Sequence, residues 1–170
     1  PVYIVKPDHG CQGAGIELTT DPCKQSPYAK DVVVQEYIGS PLLLDGLKFD
    51  LRLYVVLTCA SPLQAFLSTR GVARFASHPW APVAPSNQDD LLMHLSNSSI
   101  NQLASGVSNK WELPRLWKRL SDDGADVDQL WQRVHRLVAL TLVAMQPTVA
   151  HAYTTAFSVP FGRRRAQPSQ

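Results

Sequence analysis

The run Leu51-Arg52-Leu53-Tyr54-Val55-Val56-Leu57-Thr58 is the strongest strand signal in the chain, rich in β-branched and aromatic residues and free of glycine and proline. Lys48-Phe49-Asp50 extends it backwards in strict alternation. Lys48, Asp50 and Arg52 therefore project from one face, while Phe49, Leu51 and Leu53 pack behind it. A strand of this strength needs partners, and the sequence supplies them. Val2 to Lys6 reads as a strand stopped by Pro7, Gly15 to Leu18 as a second short one, and Asp31 to Ile38 as a buried strand closed by Gly39-Ser40-Pro41. Gln64 to Thr69 and Gly71 to Ala76 read as two further strands joined at Arg70-Gly71, giving an antiparallel meander.

The character changes further on. His78 to Asp90, punctuated by Pro79, Pro82 and Pro85, reads as an irregular surface loop. Asp126 is a candidate N-cap with Gln129 three positions on, and Val127, Leu130, Trp131, Val134, Leu137, Val138 and Met145 recur at helical spacing until Pro147. One amphipathic helix packed on a sheet makes the fold class α+β. Ser158 to Gln170 has no periodicity and many breakers, and reads as a disordered tail behind a domain of residues 1–157.

Composition sets outer limits. Of 170 residues 45% are hydrophobic and 18% charged, which suits a packed globular chain. Sixteen Lys and Arg against fourteen Asp and Glu leave a formal charge of +2, so no global field recruits nucleic acid or an anionic membrane. Val134 to Ala150, the most apolar stretch, is interrupted by His135, Arg136, Gln146 and Pro147 and does not read as a membrane span. Cys11, Cys23 and Cys59 are widely spaced without a C-x-x-C, which supports neither a disulfide framework nor a zinc site and fits a reducing, intracellular home. A first residue of Pro1, with strand pattern already at Val2, reads as a cut through a longer polypeptide.

Three segments carry polar groups that chemistry could use. In Lys6-Pro7-Asp8-His9-Gly10-Cys11-Gln12-Gly13-Ala14-Gly15, a lysine at a strand end precedes three glycines. Backbone N–H groups of such a loop close over phosphates while the ammonium supplies a point charge. The loop is neither a Walker loop nor a dinucleotide fingerprint, and glycine-rich hairpins are common. The charged face of Lys48, Asp50 and Arg52 is joined by Arg74 from a neighbouring strand. That set suits a polyanion, or equally an exposed strand face laced with ion pairs. Met93-His94-Leu95-Ser96-Asn97-Ser98-Ser99-Ile100-Asn101 is a polar cluster after a loop, whose members serve as turn caps as readily as site residues. Lys110 to Leu120 reads as an amphipathic helix, either solvated or facing an acidic partner.

In this order the segments resemble the tubulin-tyrosine-ligase-like family of ATP-grasp amino-acid ligases, over about residues 3 to 157. The carriers are Ile4 to Pro7, Gly10 to Ile16, Val34 to Ile38, Pro41 to Leu43 with Asp45 to Val55, Gly71 to Phe75, and Met93 to Asn101. The resemblance is strongest to the polyglutamylases. It implies an ATP-grasp-like antiparallel sheet with packing helices, incomplete at both ends, that grips ATP between two sheets. It places Lys6 on the phosphates beneath a flap formed by Gln12, Gly13 and Gly15. Gln35, Glu36, Tyr37 and Ile38 become the hinge that reads adenine, with Lys48 and Asp50 beside nucleoside and substrate. Arg52 and Arg74 fall near the transferred phosphoryl, and His94, Ser96 and Asn97 on the lining loop, Asn97 among the catalytic set.

The reaction implied is ATP-dependent phosphorylation of a glutamate carboxylate on a tubulin tail, followed by attack of the amine of free glutamate on the acyl phosphate. The implied partners are tubulin and microtubules, ATP and magnesium. The implied setting is cytoplasm and cytoskeleton, including cilium, flagellum or basal body. Two departures stand inside the motifs: Ala14 where the family has a basic residue, and Ser96 for threonine. The aspartate, glutamate and asparagine with which the family holds magnesium have no counterpart up to Gln170, so no metal ligand is assigned and this chain as given is expected to be a poor catalyst. The other class open to it is a non-catalytic module that binds nucleotide or tubulin.

Overall fold

The computed structural model describes residues 1–9, 11–23, 31–105 and 109–157, with the side chains of residues 102–105 and 157 left aside. The sequence-based tail of residues 158–170 lies outside them. The chain divides into two compact units. One comprises Pro1–Leu53 with Arg70–Lys118; the other comprises Tyr54–Thr69 with the described residues from Arg119 onward.

The first unit opens on β1 (Tyr3–Pro7), flanked by β2 (Glu17–Thr19) and β3 (Val32–Glu36) in the order β2-β1-β3. Both pairings are antiparallel, Ile4 facing Leu18 on one side and Gln35 on the other. This register puts Val2, Ile4 and Lys6 on one face with Leu18, Gln35 and Tyr37, because strand side chains alternate. Apolar members of that face make the core: Ile4, Leu18 and Tyr37 are buried with Leu95, and Val2, Ile16, Leu91 and Ile100 pack around them. β3 is not the buried strand its valines suggest. It lies outermost in the three-stranded order, with Val33 53% and Val34 39% exposed.

A second antiparallel sheet runs β4 (Leu43–Leu44), β5 (Leu47–Ala60), β6 (Leu63–Phe75), β7 (Lys110–Glu112) in that spatial order. β6 is one strand where the sequence reads as two. Gly71 is no turn: a Cβ there would stand 2.5 Å from the Arg52 carbonyl oxygen and 2.9 Å from Leu113 Cδ1, so glycine serves close approach within a continuous strand. β7 pairs Trp111 with Ala73, and the rings of Phe49, Phe75 and Trp111 stack in sequence at 5.6 and 5.0 Å. The basic stretch from Lys110 is thus strand first and helix only from Leu113, as α3 (Leu113–Asp122), whose Leu113, Leu116 and Leu120 form its buried stripe. Two short helices precede it, α1 (Leu91–His94) and α2 (Ser98–Ser105).

In the second unit, α4 (Val127–Phe157) starts where expected: the Asp126 carboxylate accepts from the Gln129 amide at 2.8 Å. It does not stop at Pro147. That residue removes one intrahelical N–H, but Thr148 to Phe157 contains no glycine or further proline, and the helix continues. Gln146 Nε2 donates to the Ala60 carbonyl at 3.3 Å, within the same unit. Tyr54 to Leu57, Phe66, Leu137, Leu140 and Val143 are all exposed, so the strongest strand in the sequence owes little of its pattern to burial in this unit. Among the described residues no helix is long and apolar enough to cross a membrane.

Candidate functional site

The site grows from the face of β1 that carries Lys6. Past the core residues Ile4 and Tyr37 this face turns polar, and Lys6 Nζ donates to Gln35 Oε1 of β3 at 2.9 Å. Beyond Pro7 the chain turns back through residues that need the left-handed region: Gln12 at φ 64°, Gly13 at 82° and Gly15 at 73°. At Gly13 an added Cβ would lie 2.6 Å from Ile100 Cδ1, and at Gly15 2.9 Å from Pro7 Cγ. These two glycines answer both a backbone angle and a close approach. Gln12, a non-glycine in the same region, has its carbonyl held by Ser99 Oγ at 3.0 Å.

Asn97, in the turn between α1 and α2, also lines the site. Asp90 caps α1, accepting from the Leu92 and Met93 amides at 3.1 and 3.2 Å and from the His78 ring at 2.8 Å. Desolvation pushes the Asp90 carboxyl up, but the His78 and amide bonds outweigh it and hold the group below its ordinary value. The turn itself is fixed by Asn101, whose Nδ2 donates to the carbonyls of Leu95 at 2.9 Å and Asn97 at 3.0 Å. Lys6, His9, Cys11, Gln12, Gly13 and Asn97 then line one cleft of about 240 Å³.

A second group stands on β5. Lys48 Nζ donates to the Tyr37 hydroxyl at 3.0 Å and to the His94 carbonyl at 2.9 Å. Tyr37 is 7% exposed and His94 fully buried, with the hydroxyl 3.1 Å from His94 Nδ1. Burial pushes the His94 ring below its usual proton affinity. Two residues on, Asp50 takes both prongs of Arg74, Nε at 2.8 Å and Nη2 at 2.5 Å, across the β5–β6 pair.

Lys6, Gln12, Gly13 and Asn97 thus meet in one cleft, and Gln35 and Tyr37 hold the two lysines. Gly15 shapes the turn from behind, against Pro7. Glu36 is exposed and paired with Tyr3 in the sheet, Ile38 is 67% exposed, and Arg52 is exposed on β5. Arg74 is committed to Asp50. Gly10 lies outside the described residues. Sequence reasoning missed three contributors: Asp90, His78 and the His94–Tyr37 bond. Asp90 had a legible signal, an aspartate directly before an apolar helical run; the other contacts join segments far apart in sequence.

Compared with known proteins, residues 1–159 match the family model described as the tubulin-tyrosine ligase family. Over 161 residues the chain is 38% identical to tubulin polyglutamylase TTLL6 of Homo sapiens, covering 91% of this chain and 18% of that protein. It is 37% identical over 175 residues to tubulin polyglutamylase TTLL11 of Mus musculus, covering 96% and 24% respectively. A probable beta-tubulin polyglutamylase of Tetrahymena thermophila is 39% identical over 163 residues, covering 89% and 14%. The chain therefore spans less than a quarter of the length of each of these relatives.

Proposed function

The chain belongs to the tubulin-tyrosine ligase family, and we propose that it carries the nucleotide-gripping part of an ATP-grasp ligase that adds glutamate to glutamate side chains of tubulin tails. The observation that carries this reading is the cleft in which Lys6 and the turn Cys11 to Ala14 face Asn97. An ammonium beside a loop with left-handed residues is suited to a triphosphate, which needs a point charge and converging backbone N–H donors.

In the reaction proposed, a tail carboxylate oxygen attacks the γ-phosphorus of ATP and ADP leaves. The amine of free glutamate then attacks the acyl carbon, phosphate leaves, and the amine loses a proton as the amide forms. The chain's own groups would orient and neutralise. Lys6 and the Gln12–Gly13 turn hold the phosphates, Lys48 the nucleoside side, and Arg74, oriented by Asp50, meets charge as it moves between carboxylate and phosphoryl oxygens. Among the described residues no three His, Cys, Asp or Glu side chains come together to hold a metal. Microtubules, in cytoplasm or cilium, are the proposed place of action.

ATP titration by calorimetry tests the reading, with Lys6→Ala as the variant. Binding by the wild-type chain that weakens about tenfold or more in Lys6→Ala supports it, by the loss of one charge-assisted contact. Equal affinities in both chains would overturn it.

A further inference from the structure

Asn87, His94, Tyr37 and Lys48 form a hydrogen-bond chain whose direction can be worked out atom by atom. His94 Nε2 faces the backbone carbonyl oxygen of Asn87 at 3.0 Å. A carbonyl only accepts, so Nε2 carries the ring hydrogen. In the neutral ring Nδ1 is then an acceptor, and the Tyr37 hydroxyl, 3.1 Å away, gives it its hydrogen. That leaves the Tyr37 oxygen to accept from Lys48 Nζ at 3.0 Å. The ammonium has two further anchors on the same two residues, the His94 carbonyl at 2.9 Å and the face of the Tyr37 ring, 4.4 Å from its centroid.

A protonated ring would break this order. Nδ1 would then donate, the Tyr37 oxygen would face two donors, and its own hydrogen would lose its acceptor. Full burial of the ring opposes protonation and outweighs the Asn87 carbonyl, which favours it; the Lys48 charge adds to the opposition, and Asp90 pulls more weakly the other way. The Tyr37 and His94 rings also meet edge to face at 5.6 Å, a favourable aromatic arrangement.

We propose that Tyr37 and His94 are positioning residues for Lys48. The ring, pinned by Asn87, sets the direction of the hydroxyl, and the hydroxyl with the His94 carbonyl sets the ammonium in one orientation before any nucleotide arrives. Lysine otherwise carries considerable rotamer freedom, lost on contact with a ligand. Fixing it beforehand transfers that loss to folding. The inference rests on the nucleotide reading above, and gives Tyr37 a side-chain role distinct from any reading of adenine by the hinge backbone.

The test is a double-mutant cycle on the 170-residue chain, with ATP affinity measured for wild type, Tyr37→Phe, Lys48→Ala and the double variant. Tyr37→Phe keeps the ring and removes only the hydroxyl. The expected result is about tenfold weaker binding in Tyr37→Phe and no such penalty once Lys48 is alanine, because the hydroxyl acts only through the ammonium. His94→Gln, which keeps one acceptor and one donor on the same side chain, should retain most of the affinity, and His94→Leu should not. Ring ¹⁵N shifts of His94 in the ligand-free chain should report a neutral ring with hydrogen on Nε2. Equal penalties for Tyr37→Phe in both Lys48 backgrounds, or a hydrogen on Nδ1, would overturn the relay alone. A wild-type chain that does not bind ATP would overturn the nucleotide reading and with it the purpose given to the relay.

Discussion

Replacing Gly13 by alanine puts a number on how tightly the Gln12–Gly15 turn is specified. Gly13 sits at φ 82°, and a Cβ there would lie 2.6 Å from Ile100 Cδ1 and 3.5 Å from Asn97 Nδ2. The left-handed angle alone costs a non-glycine residue about 1–2 kcal/mol. The overlap with Ile100 adds to this, although Cδ1 is the far end of a flexible side chain that can swing aside at a cost of about 0.5–1.5 kcal/mol for an off-rotamer angle. The combined penalty is about 1.5–3.5 kcal/mol. If the turn keeps its shape, the whole penalty falls on stability, about 2–4 °C of Tm per kcal/mol in a chain of this size. If the turn opens instead, stability is spared and the cost appears as roughly 10- to 400-fold weaker ATP binding. Measuring Tm and ATP affinity on one preparation captures both routes. Adding Ile100→Val removes Cδ1 and should recover only the overlap portion. Gly46→Ala is the control, since Gly46 also has a positive φ, 76°, but nothing within 4 Å of its Cβ position, and it should cost stability without touching ATP affinity. A Gly13→Ala chain with wild-type Tm and wild-type affinity would refute the reasoning.

Two predictions concern pH and capping. Because burial holds the His94 ring below its ordinary proton affinity, the unfolded chain binds a proton there that the folded chain refuses; stability should fall as pH drops below the ordinary histidine value and level off below the folded one. Denaturant titrations between pH 8 and about 5 should show this slope in wild type and lose it in His94→Gln; an unchanged slope would remove His94 as its source. Asp90→Ala should cost about 0.5–2 kcal/mol at neutral pH through loss of the α1 cap, and the difference from wild type should shrink as pH falls through the depressed Asp90 value, where the wild-type carboxylate is itself protonated. A pH-independent difference would contradict the charged-cap account.

What could be read in advance followed local chemistry. The β1 strand, its Pro7 stop, the glycine turn, the Asp126 cap and the charged face of β5 are all legible within a few residues, and all appear at their expected positions. Errors arose where a local signal had two physical uses. Gly71 looked like a joint and serves packing against Arg52 and Leu113; Pro147 looked like a terminator and lies inside a helix; Val32 to Val34 looked buried and form an outer strand. Burial of a strand depends on what its sheet is packed against, which its own residues do not encode. In the site, Lys6, Lys48, Asp50 and Arg74 could be singled out by type and alternation. The pairings that give them meaning, Lys6 with Gln35 and Lys48 with Tyr37 and His94, span 29, 11 and 46 residues and come only from the fold.

The two-pronged grip of Asp50 on Arg74 also bears on timing. A free arginine side chain samples many rotamers, and a ligand that captures it must absorb about 2 kcal/mol of lost entropy at the moment of binding. Here the guanidinium is held at both Nε and Nη2 by a carboxylate of the adjacent strand. Its disorder is surrendered when the sheet forms, so an anion reaching Arg74 meets a plane whose orientation is already set, and association there involves little waiting for the side chain to settle.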